Sequence, residues 1–331
     1  LLSAQASAYA GVADATGVNS IGIYNAYATN LGTISATASG AQATAAGVVN
    51  QSYFEAATTN AGQITVAASG TVAPYGQYEA VAVGVYTFAT IYDAIVDNSG
   101  SVSVTSSALA DIDDTGGFLV AKAIGVRAVN PAGYGEALVT NTGDVGASAV
   151  TGQGYASAWG AIAQSGSYGY GQAEIDNDGS IASSAQSGAG NSVTIGAYAH
   201  SGSTAMIVNH GDISATSQAG RGIAYVSLAT AYATGAQVYG FAYGGGEAGI
   251  SNDGSITADA SLVGGIVAAT ALKTFGSTST VDNAAGATIA ATAEATLFGG
   301  VGAVAVEAGG LYHVAVANDG NISAYARAHA D

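Results

Sequence analysis

Cysteine is absent from the 331 residues, so neither a disulfide framework nor a thiolate metal centre is open to this chain. Bases are scarce too: five Lys and Arg face 22 Asp and Glu, for a formal net charge of −17. A surface of that sign repels nucleic acid and anionic lipid headgroups, and neither is expected as a partner. Proline occurs twice, Trp and Met once each, and Phe six times, so any core is thin rather than bulky. Long apolar runs are missing as well, because Ser, Thr or Gly interrupts every candidate span. The mean hydropathy of +0.34 therefore reflects Ala and Val spread along strands, and direct membrane insertion of this segment is not expected. The opening LLSAQASAYAG lacks the basic region of a signal peptide, which reads as a mature product or a fragment.

What the chain has in quantity is repetition. An Asn-x-Gly tripeptide begins at Asn30, Asn60, Asn98, Asn141, Asn177, Asn209, Asn252 and Asn318, and a copy at Asn283 carries one extra residue before Gly286. A β-branched anchor follows each: Ile34, Ile64, Val102, Val145, Ile181, Ile213, Ile256, Ile289 and Ile322. The repeat averages roughly 36 residues, a length typical of solenoid arrays. After the anchor the residues alternate, as in Ile34-Ser35-Ala36-Thr37-Ala38, which is the period of a half-buried strand. One column is small and apolar (Ala36, Val66, Val104, Ala147, Ala215, Ala258, Ala291, Ala324), and its neighbour is mostly Ser or Thr. A second strand centres on Gly followed by an apolar residue, as in SIGIYN (20–25), VGVYTF (83–88), IGVRAV (124–129) and GIVAAT (265–270). A third, short segment such as AIVDN or AMIVN leads into the next Asn.

Three strands and three turns per repeat predict an all-β chain: one parallel β-helix, or β-solenoid, spanning 1–331 with about nine rungs. One turn per repeat is favoured over two of about 18 residues, since three strands with corners use up the length. The turn chemistry supplies a reason for the motif: Asn tolerates the left-handed region, and Gly provides positive φ without steric penalty. Stacked at one corner, Asn30, Asn60, Asn98, Asn141, Asn177, Asn209, Asn252, Asn283 and Asn318 are expected to bond one another as a structural ladder. Leu2 to Ala6 matches Ile34 to Ala38 in phase, and the chain closes just after the last anchor strand. Neither end carries a polar cap, so the reading is a slice or subunit of a longer rod.

With its N-x-G-x-[IV]-x-A anchor and Gly-Val/Ile second strand, the whole chain resembles bacterial autotransporter passengers and filamentous-haemagglutinin-like adhesins. The resemblance implies a secreted structural or adhesive rod, extracellular or on the outer-membrane surface of a Gram-negative bacterium. The expected partners are the chain itself, end to end or laterally, or surface glycans and proteins of host or bacterium.

Catalytic groups are hard to find. The densest acidic cluster is Asp111, Asp113 and Asp114 in ADIDDTGG, open to calcium binding but reading more simply as a solvated loop, without EF-hand or RTX spacing. The basic residues Lys122, Arg127, Arg221, Lys273 and Arg327 are too few for a uronate-cleaving cleft. His200, His210, His313 and His329 show no metal-ligand spacing along the chain, and no nucleophile elbow or phosphate loop occurs. No catalytic, cofactor or metal residue is therefore assigned, and an enzyme is not expected. Tyr is abundant, at 19 residues. Tyr24, Tyr86 and Tyr198, two residues after a second-strand Gly, are candidate exposed contacts, with Ile23 and Val85 turned inward. Three functions remain: the adhesive rod, a self-polymerising subunit of an extracellular filament or sheath, and a polysaccharide-acting β-helix enzyme.

Overall fold

The computed structural model describes residues 1–8, 11–70, 78–109, 119–166, 170–220, 229–240, 245–296 and 299–329. Among these residues the secondary structure is strand and turn, with 24 strands joined in one continuous network that the coil folds into three sheets, every pairing parallel. A single repeat shows the plan: an anchor strand Thr33–Gly40, a second strand Gln42–Ser52 and a third strand Glu55–Asn60, then the turn into Gln63–Gly70. The chain is a parallel β-solenoid.

Register defines the coil. Ile34 pairs with Ile64, Ile64 with Val102, Val102 with Val145 and Val145 with Ile181. Each anchor thus lies against the anchor one repeat on, and one repeat is one turn. The longest strands, Asp144–Ser165 and Ser180–Ser201, run anchor and second strand together without a break.

Alternation sorts the side chains. Along Thr33–Gly40, Ile34, Ala36 and Ala38 are buried while Ser35, Thr37 and Ser39 face out. The interior is filled mainly by Ala, Val and Ile, so three sheets approach closely around a narrow core. Several inward positions carry a hydroxyl instead: Ser183 pairs with Ala147 and Ala215, and its Oγ donates to the Ser214 carbonyl at 3.4 Å, while the Ser192 and Ser217 hydroxyls meet at 2.6 Å. Asn50 lies inside as well, donating to the carbonyls of Ala26 at 3.1 Å and Ala57 at 2.8 Å.

Two corrections concern glycine. The turn glycines Gly62, Gly100, Gly143, Gly179, Gly211 and Gly254 are not in the positive-φ region. They are required by stacking: a Cβ on any of them would lie 2.0 Å from the carbonyl oxygen of the corresponding glycine in the preceding turn. Gly286, in the copy with the extra residue, does adopt positive φ, at 89°. The second-strand glycine column is Gly17, Gly47, Gly84, Gly125, Gly160, Gly196 and Gly235, deduced from the pairs on either side of each. Gly22 and Gly265, from SIGIYN and GIVAAT, lie elsewhere. Gly22 ends its strand at a corner, and Gly265 opens one, paired with Ala229 and Gly299.

Candidate functional site

The Asn-x-Gly corner is a continuous amide ladder. Nδ2 of Asn30 donates to Oδ1 of Asn60, and the pattern passes through Asn98, Asn141, Asn177, Asn209, Asn252 and Asn283 to Asn318 at 2.7–2.8 Å per step. Most of these amides also donate to the carbonyl of their own turn glycine, as Asn141 does to Gly143 at 3.0 Å. From Asn30 to Asn283 the side chains are buried with both amide functions engaged, so this part of the row offers no free group to a ligand, while Asn318 is exposed.

Outward side chains make two aromatic surfaces. Tyr86 and Tyr198 occupy one column of the second sheet, with Arg127 and Ile162 between them. Both are half-buried, and burial pushes each phenol above its ordinary value, with the Arg127 charge acting the other way at Tyr86. Tyr198 meets the edge of Trp159 at 5.6 Å, stacks on His200 at 6.3 Å and contacts Tyr239 at 6.1 Å. Burial likewise holds the His200 imidazole below its ordinary value.

Tyr24 does not share that column. It sits at the corner between second and third strands, stacked on Phe54 at 5.5 Å with the planes 4° apart, and Phe54 continues to Tyr92 at 5.7 Å. Val85 is buried, but Ile23 is 78% exposed, because it belongs to this corner rather than to a strand. The exposed Tyr134 and Tyr170 lie at the same corner on later turns.

Acidic groups meet across turns. Asp176, Asp178 and His210 bring potential ligand atoms within 4.8 Å of one another, and His210 Nδ1 lies 3.0 Å from Asp253 Oδ2. Chain spacing concealed this set, since the coil joins residues 32 and 43 positions apart. Its signal was the variable middle of Asn-x-Gly, which reads Asp178, His210 and Asp253 on consecutive turns. On the third strand, Glu136 and Glu174 occupy neighbouring turns, and both carboxyls are pushed up. Burial is the main cause at each, reinforced by Glu174 and Asp93 at Glu136 and by Asp176 at Glu174. Asp111, Asp113, Asp114 and Arg221 lie outside the described residues.

A shallow depression is lined by Lys122, Ile124, Arg127, Trp159, Ile162 and Gln164. There Arg127 Nη2 donates to Gln164 Oε1 at 2.7 Å, and the guanidinium lies 5.6 Å from the Tyr86 ring centre. Such a surface can stack rings and hold an anion; it positions no nucleophile beside a base.

Strand pairing and register together define a parallel β-solenoid. The chain matches no protein-family model, and no curated protein or solved structure is significantly similar to it. No helix among the described residues is long and apolar enough to cross a membrane.

Proposed function

We propose that the chain is a secreted, surface-displayed rod of structural and adhesive role, like an autotransporter passenger, on a Gram-negative bacterium. The observation that carries the reading is the aromatic corner, where Tyr24, Phe54 and Tyr92 stack in a row with Tyr24 and Tyr92 at least half exposed. Exposed stacked rings are unfavourable in water and favourable against the C–H face of a sugar or an apolar protein patch. Their spacing is set by hydrogen-bonded turns, so little freedom is lost on contact. The reading assigns no catalytic step, and its partners are glycans or proteins of host or bacterial surfaces.

Brief protease treatment of intact source cells tests display. Peptides of this chain should be released before any cytoplasmic marker. Release only after lysis sinks the reading.

A second reading, a subunit of an extracellular filament, is favoured by the flat outer face of the anchor sheet. Ser103, Thr105, Ser148, Ser184 and Thr216 present small hydroxyls there, with Ser184 Oγ donating to Ser148 Oγ at 3.1 Å. Lateral stacking through that face would make sedimentation strongly concentration-dependent, whereas the favoured reading does not require self-association.

A further inference from the structure

We infer that the depression between the strands Leu119–Asn130 and Asp144–Ser165 binds an acidic oligosaccharide, one carboxylate held by Arg127 and another by Lys122, with a ring set against Trp159. The inference rests on the adhesive reading above and names the ligand class for one of the rod's faces.

Charge favours an anion here. The chain has five Lys and Arg, and two of them line this one depression. Among the described residues the ion pairs are His210–Asp253 and Lys273–Glu307, and neither Lys122 nor Arg127 has an acidic partner among them. Arg127 is also only partly satisfied. One side of its guanidinium faces Tyr86, Nη2 bonds Gln164, and Nε is buried without an acceptor. These contacts fix the planar fork without neutralising it, and a partly buried cation lacking a counter-charge is unfavourable until an anion arrives. A carboxylate matches the fork with two oxygens.

Shape and polarity choose the rest of the ligand. Ile124, Trp159 and Ile162 make an apolar floor suited to the C–H face of a pyranose, while Gln164 adds a polar group for ring hydroxyls. Trp159 is held in place by its Nε1 donation to Ser157 Oγ at 2.9 Å and by Tyr198 at its edge. The five-residue step from Lys122 to Arg127 spans roughly 15 Å of strand, room for a short oligosaccharide. The net charge of −17 acts against any anion. At physiological salt the Debye length is about 8 Å, so distant acids are largely screened while direct contacts with Lys122 and Arg127 are not.

The chain's single Trp lies in the depression and reports on it. Its fluorescence is titrated with a hexuronate oligosaccharide, a neutral hexose oligomer of the same linkage and length, and a Glu-rich peptide. A saturable change with the hexuronate is expected, at least about tenfold tighter than with either comparison ligand. Lys122→Gln and Arg127→Gln should each weaken it about fivefold or more with the circular-dichroism melt unchanged. No saturable change, equal affinity for the neutral oligomer or the peptide, or parental affinity in both variants overturns the site. Protease treatment of intact cells reads the display proposal separately: a displayed rod with a failed titration loses this site alone.

Discussion

Asn98 donates from Nδ2 to Oδ1 of Asn141 at 2.7 Å across 43 residues of chain, and Asn141 donates onward to Asn177 at 2.8 Å. Each amide is thus acceptor to one turn and donor to the next. Asn141→Ala would strand a buried donor below and a buried acceptor above, and should destabilise by about 1–3 kcal/mol. Amide hydrogen exchange checks this locally: protection should fall first at Asn141 and its two neighbouring turns. Unchanged protection there would mean the ladder contributes no net stability.

Gly47 faces Ile64 across the core. A Cβ added to it would lie 2.4 Å from Ile64 Cγ2 and 2.5 Å from the Gly84 carbonyl oxygen. Gly47→Ala should therefore lower thermal stability, by about 1–3 kcal/mol for an overpacked site. The same column carries Ala271 further along, where the packing already holds a methyl. Comparable losses from Gly47→Ala and Ala271→Gly would show that close approach does not set this column.

Ala215 is buried between Ser183 and Ala258 on the adjacent turns. Ala215→Leu should cost about 1–3 kcal/mol in a core this narrow. A melt equal to the parent's would place the side chain outside.

Acidification should affect two sites in opposite directions. Glu136 and Glu174 have folded pKa values raised above the ordinary 4.5, so the folded chain holds those protons more tightly than the unfolded chain. Their contribution favours folding below 4.5 and is lost as pH rises through the raised values. His200 is depressed from 6.5, so its contribution is lost as pH falls through the lowered value. The Glu136→Gln, Glu174→Gln double variant should melt higher than the parent near neutrality, with the difference closing toward pH 4.5. A difference that grows on acidification contradicts the assignment.

The coil was legible because its signal is local: Asn, Gly and a β-branched anchor recur within five residues, and the period-two alternation gives the inward face. The second strand was less legible. Turns of different length shift its glycine relative to the anchor, so Gly22 and Gly265 resemble Gly84 and Gly125 in sequence while occupying other positions. For the same reason Tyr24 resembles Tyr86 and Tyr198 in sequence while lying at a corner. The reason for the turn glycines was also hidden, because a backbone stacked on its neighbour's carbonyl leaves no trace in one repeat. The meetings of His210 with Asp253 and Arg127 with Gln164 depend on register between turns, which local spacing does not encode.

Adhesion through the outward aromatics is the claim on which the functional account stands, and bead adhesion measures it directly. Beads coated with the chain are compared on a glycan-bearing cell surface with beads carrying the Tyr24→Ser, Phe54→Ser, Tyr92→Ser variant and with albumin-coated beads. The account predicts firm adhesion of the parent, and a marked loss in the variant with its β-sheet circular dichroism retained. Parent beads that adhere no better than albumin-coated beads, or variant beads that adhere as well as the parent, would contradict it.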